Sequence, residues 1–195
     1  MSTSFASLVS DVMTLTNRPD LVNETTLAVK AATLKAHQSD DYIFDFSEYS
    51  ISFSSSDFYQ SLDYKAIIPN WRKPRYIRKY DGAPGLFLTY LEPEKVVDNF
   101  GASRYDIFYI AGSNIQIRSS TSLQYLLVGA YVNPDVTTTG FNSWIANDYP
   151  FAIVYEAAAI IFKTIGYDEQ VPIYRGMVAE QLQILKQHAV TGMGM

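Results

Sequence analysis

At 195 residues and 22.0 kDa, with 48% hydrophobic side chains, the chain is long enough for one core with a sizeable insertion. It has no cysteine, which excludes a disulfide framework, a thiol nucleophile and a thiolate metal site, and its net charge of -5 disfavours gripping nucleic acid by general electrostatics. The start lacks a basic region followed by an apolar run, and no stretch approaches about 18 uncharged apolar residues, so neither a signal peptide nor a membrane span is expected.

Phe5, Leu8, Val9, Val12 and Leu15 recur at helical spacing behind Ser4, a residue suited to the N-cap, and Asn17-Arg18-Pro19-Asp20 ends the run. A second helix is predicted from Thr25 to Gln38 with Leu27, Ala28, Ala31 and Leu34 on its apolar face. From Tyr42 the period changes. Tyr49, Ile51 and Phe53 alternate with serines as in a half-buried strand, whereas Phe44 and Phe46 have the opposite parity, so Ser47-Glu48 is read as a bend or the end of the preceding element. Ile67-Ile68-Pro69 ends another apolar piece, and Pro74 confines the segment from Trp71 to Tyr80 to an edge strand or the approach to one. Asp81-Gly82 and Pro84-Gly85 mark turns, Phe87, Thr89 and Leu91 resume alternation, and Glu92 to Phe100 suits a short helix.

Tyr105 to Ile110 and Ile115 to Arg118 flank the turn Ala111-Gly112-Ser113-Asn114, and Leu123 to Val132, apolar on both faces, reads as a central strand. Two helices follow. Tyr149 to Ile165 is apolar nearly all round, including Ala158 and Ile161, with Asp148 and Pro150 at its start and Gly166 at its stop. The last, from about 172 to 189, shows a stripe of Ile173, Met177, Val178, Leu182, Leu185 and Ala189. The expected class is α+β: a helical bundle formed by N- and C-terminal helices (1–41 and 136–190) with an inserted antiparallel β domain (42–135) and a flexible tail (191–195).

The chemistry-bearing residues assemble into no recognisable site. His37 and His188, the two histidines, each fall near the end of a predicted helix, where a cation suits the dipole. There is no Gly-x-Ser-x-Gly and no phosphate-binding glycine loop ending in Gly-Lys-Ser or Gly-Lys-Thr. Asp40, Asp41, Asp45 and Glu48 lack the glycine and terminal glutamate of a calcium loop and are read as a solvated junction. Asp57, Asp63 and Asp81 have no identifiable partner for paired-carboxylate hydrolysis. No catalytic residue, cofactor or metal is therefore expected, and the chain is read as a non-enzyme.

Arg72, Lys73, Arg75, Arg78 and Lys79 take five of the 15 Lys and Arg, beside Trp71, Tyr76 and Tyr80. Three readings stand: contact with nucleic acid, an intersubunit edge pairing with carboxylates of a neighbour, or a charged edge strand that blocks unwanted sheet pairing.

With those residues in view, the chain resembles the head-to-tail adaptor (connector) proteins of tailed bacteriophages. The resemblance runs over the N-terminal helix pair, Ile67-Ile68-Pro69 leading to Arg75-Tyr76-Ile77, the hairpin from Tyr109 to Ile117, the strand ending Tyr131-Val132-Asn133-Pro134, and the helices beginning at Ser143-Trp144 and Asp148-Tyr149-Pro150. It implies a virion structural protein at the head-tail junction, assembled in the host cytoplasm. Such a protein forms a ring with itself, usually a dodecamer, binds the portal protein and tail proteins, and prolongs a channel through which double-stranded DNA passes without specific binding; no membrane is involved. The interface candidates are Trp71, Arg72, Lys73, Arg75, Arg78 and Lys79, together with Met193 and Met195, whose flexible side chains suit apolar crevices between portal subunits. The alternatives are a DNA-binding module using the basic 71–80 segment and a carboxylate-based hydrolase.

Overall fold

A computed structural model describes residues 3–80, 85–97 and 102–191, with the side chains of 188–191 excepted. The expected turn residues Asp81, Gly82 and Pro84, the end of the Glu92 to Phe100 segment, the His188 side chain and the tail beyond Thr191 lie outside the described residues. The fold is α+β, with helices from both chain ends and a sheet between them. It divides into two compact units, Met1–Asp45 with Asn133–Met195, and Phe46–Val132.

The first unit is helical. α1 (Phe5–Thr16) starts where the Ser4 hydroxyl accepts the Ser7 N–H at 3.1 Å, and ends at Asn17, whose left-handed backbone (φ 53) closes the C-cap. α2 (Val22–Gln38) follows, and after the sheet unit come α4 (Trp144–Asp148), α5 (Pro150–Thr164) and α6 (Val171–Thr191). Pro150 occupies the first turn of α5, where its missing N–H costs nothing, and Gly166 (φ 80) lies just past the end. α5 packs on α1, α2, α4 and α6, so Leu8, Val12, Val29, Ile145, Ile153 and Leu185 close one core around it. Each such side chain contributes about 1.5–3 kcal/mol on burial.

Three details depart from the sequence reading. α2 turns a different face inward: Thr25, Ala28, Val29, Ala32, Thr33, Ala36 and His37 are buried, while Leu27 is 66% exposed and Ala31 is exposed. The helix can bury Thr33 and His37 because Thr33 donates its hydroxyl to the Val29 carbonyl at 2.8 Å and His37 finds side-chain partners, whereas the buried Thr25 hydroxyl has no hydrogen-bond partner among the described residues. α5 carries a buried carboxylate, Glu156, met by Lys35 Nζ at 2.6 Å. On α6, Val178 and Leu185 face the core, whereas Ile173 and Met177 are exposed.

The second unit is a five-stranded sheet with β1 (Phe46–Asp63), β2 (Trp71–Lys79), β3 (Thr89–Tyr90), β4 (Ile107–Ala111) and β5 (Asn114–Val132), plus one turn of helix, α3 (Tyr64–Ile67). β5 is its axis. β1 runs antiparallel along one side of it, and on the other side β4 and β2 pair in tandem, from Ala111↔Asn114 to Ile107↔Arg118 and from Lys79↔Leu126 to Trp71↔Val132. The short β3 pairs parallel with β4, the one departure from an antiparallel sheet. Gly112 (φ 64) makes the two-residue turn between β4 and β5. Pro74 sits between two register shifts of β2, where a missing N–H disrupts little of the ladder.

β5 is continuous, so the two segments read as separate strands are one, and Ser47-Glu48 lies inside β1 instead of marking a bend. Leu88, not Phe87, points into the core; Phe87 is 58% exposed. The expected helix from Glu92 is a single 3-10 turn, Pro93–Lys95. Ile77, Ile115, Leu126 and Val128 are fully buried at the centre of the sheet core. Among the described residues no helix is long and apolar enough to cross a membrane.

Candidate functional site: a cation-aromatic face on the sheet unit

Pairing Phe46 with Tyr131 across β1 and β5, and Tyr76 with Gly129 across β2 and β5, gathers aromatic rings from three strands. Ring centroids follow one another at 5.9 Å (Tyr131 to Phe46), 5.9 Å (Phe46 to Tyr76) and 5.5 Å (Tyr76 to Phe87). Gly129 makes the close approach possible: a Cβ there would lie 2.7 Å from Tyr76 ring carbons.

Cations cover this row. Arg72 and Lys73 stand over Tyr131 at 5.1 and 5.7 Å, Arg75 over Phe46 at 5.1 Å, and Arg78 over Tyr76 and Phe87 at 5.8 and 5.9 Å. Each contact is worth about 0.5–1 kcal/mol at an exposed ring. Together they fix where the positive charge sits. The Arg78 Nε is buried with no hydrogen-bond partner among the described residues.

The predicted set is thereby split. Arg72, Lys73, Arg75 and Arg78 share the aromatic row, but Trp71 packs on Tyr64 at 4.6 Å, and Lys79 is buried in an ion pair with Asp106. Met193 and Met195 lie outside the described residues. Lys79 also donates to Ser120 Oγ and Thr121 Oγ1, and Asp106 accepts the Ser120 N–H and hydroxyl at 3.0 and 2.6 Å. Partial burial opposes ionisation of Asp106, and the bonds from Lys79 and Ser120 outweigh it, holding the carboxyl below its ordinary range.

In the helical unit a second polar group went unforeseen. His37 Nδ1 lies 2.7 Å from Asp45 Oδ1 and His37 Nε2 lies 2.8 Å from Ser143 Oγ, the order of a serine-histidine-aspartate triad. Asp45 Oδ1 also accepts the Trp144 indole N–H at 2.8 Å, and Ser143 Oγ accepts the Ala146 N–H at 3.1 Å as the N-cap of α4. His37, Asp45 and Ser143 are 1%, 4% and 3% exposed, so no acyl group reaches the hydroxyl in this state. The arrangement ties α2 to α4 and to the 3-10 turn Ile43–Asp45. His37 is therefore buried and engaged through both ring nitrogens in the last turn of α2, and Asp45 is no part of a solvated junction. The one signal in the sequence was Ser143 ahead of a short helix; the partners are too far apart in the chain for spacing to pair them.

Two open depressions lie on the sheet unit, the second of them beside the aromatic row. One of about 370 Å³ is lined by Phe58, Tyr59, Tyr105 and Ser120; a hydrogen bond with Tyr59 raises the Tyr105 phenol above its ordinary pKa. The other, about 340 Å³, is lined by Pro74, Arg75, Tyr90, Phe108 and Ile110. Among the described residues no group of three or more His, Asp or Glu is placed to hold a metal ion. No protein-family model matches the chain, and no curated protein sequence matches it significantly.

Proposed function

We propose that the chain is a virion structural protein, a head-to-tail adaptor of a tailed bacteriophage that joins the portal to the tail as one copy of a ring and prolongs the DNA channel. The observation that carries this reading is the division of labour in the fold. One unit is helical and made from both chain ends, the other is a self-contained sheet that sets Arg72, Lys73, Arg75 and Arg78 along one aromatic row, so two partners can be met by two different surfaces. The order of elements is the one on which the resemblance to the adaptor family rests. An excess of 20 carboxylates over 15 Lys and Arg suits a conduit that lets a polyanion slide past.

The reading places the protein at the head-tail junction of the virion and in the host cytoplasm during assembly. The isolated protein is a monomer on this view, and the portal is the template for the ring. Co-sedimentation with purified portal rings, followed by cryo-electron microscopy of the complex, tests it: ring density beneath the portal is expected. Failure to bind the portal, together with normally tailed particles from a phage lacking the gene, would remove the reading. A DNA-binding module is the second reading, favoured by the cation-aromatic row alone; tight, salt-sensitive binding to duplex DNA by the isolated protein would bring it forward.

A further inference from the structure

Arg75 and Arg78 meet no carboxylate among the described residues, in a chain where carboxylates outnumber Lys and Arg by 20 to 15. Lys79, by contrast, is satisfied by Asp106. Phe46 lies under Arg75, and Tyr76 and Phe87 lie under Arg78, which holds both guanidinium groups in place. A guanidinium held against a ring keeps its N–H edge for a planar, bidentate acceptor such as a carboxylate. The apolar cleft of about 340 Å³ bounded by Pro74, Tyr90, Phe108 and Ile110 opens beside Arg75. β2 is also bridged on its outer side only near its end, where Lys79 N–H bonds the Leu86 carbonyl and Leu88 N–H bonds the Ile77 carbonyl, among the described residues. Among the described residues, the backbone of β2 before Ile77 bonds no further strand on that side, which is the kind of edge that takes an extended chain.

We propose that this face binds an extended acidic segment of a partner protein, with carboxylates on Arg75 and Arg78 and an apolar side chain in the cleft beside Arg75. Charge complementarity selects this occupant over nucleic acid. Outside 71–80 the chain has ten Lys and Arg against all 20 Asp and Glu, so a long polyanion is repelled beyond the patch, whereas a short acidic segment is not. The guanidinium groups also lie where a base would stack on the rings. The inference deepens the adaptor reading by naming the chemistry of the partner, and it is tested without the portal.

The probes are a fluorescent peptide alternating glutamate and leucine, its lysine-leucine counterpart and a single-stranded oligothymidylate, each titrated against the full chain by anisotropy. The acidic peptide is expected to bind and the other two are not, with affinity falling as salt rises. The double variant Arg75→Glu/Arg78→Glu should abolish binding, and Arg75→Lys/Arg78→Lys should weaken it about tenfold by losing the bidentate geometry. The exposed single variant Arg75→Gln, with unchanged circular dichroism and melting, guards against misfolding and should also weaken binding. Tighter binding of the oligothymidylate overturns the proposal, as does undiminished peptide binding by the double reversal. So does an absence of peptide binding in a wild-type chain that self-associates through these arginines. A chain that binds portal but not the peptide loses this inference and keeps the adaptor reading.

Discussion

Gly129 lies directly beneath Tyr76, and the space between them is too small for a methyl group: a Cβ at 129 would stand 2.7 Å from the ring and 2.9 Å from Phe46 Cε2. The substitution Gly129→Ala should therefore destabilise the sheet unit by about 1–3 kcal/mol, the usual cost of overpacking. Chemical denaturation reads the loss directly. An unchanged midpoint would mean that the two rings swing aside freely and that the aromatic row is not rigid.

Burial of α5 gives the largest expected effects. Ala158 and Ile161 are 0% and 1% exposed, so aspartate at either position strands a charge among apolar neighbours and should cost more than about 3 kcal/mol. Melting close to that of the wild type for both variants would contradict the packing of this helix.

Asp45→Ala removes the acceptor shared by His37 and Trp144, and each stranded donor should cost about 1–3 kcal/mol. Ser143→Ala deletes the α4 cap and should cost about 1 kcal/mol. A serine-directed fluorophosphonate should leave Ser143 unlabelled in the native protein. Labelling at Ser143 would show that the buried group opens to act on an acyl or phosphoryl substrate.

The depressed pKa of Asp106 links stability to acid. A group with a folded pKa below its unfolded one contributes stability above the unfolded value, about 3.9 for aspartate, and loses it as pH falls through the folded value. Lys79→Met should raise the Asp106 pKa, read from its side-chain carboxyl resonance by NMR, and move acid unfolding to higher pH. No movement in either measurement would mean that the ion pair contributes nothing to the fold.

Local signals were legible where one residue settles the outcome. Ser4, Asn17, Pro150 and Gly166 bounded helices correctly because capping and backbone conformation are short-range effects. The inward face of α2 was not legible, because Thr25, Thr33 and His37 are polar by type yet buried, and apolar spacing assigns them outward. Ser119-Ser120-Thr121-Ser122 looked like an interruption between strands. It stays in β5 because the hydroxyls and amide N–H of Ser120 and the hydroxyl of Thr121 are engaged by Asp106 and Lys79. The basic cluster was visible as composition, but the separation of Lys79 from its neighbours needed a partner 27 positions away.

The pairing of Phe46 with Tyr131 means that the sheet unit leaves and re-enters the chain at adjacent points on one ladder. Such an insert behaves as a cassette: joining residue 45 to 133 through a short hairpin linker would excise it, and a different sheet could be spliced in without lengthening the path of the helical unit. Exchange of the sheet unit could then proceed in evolution, or in the laboratory, independently of the helical unit.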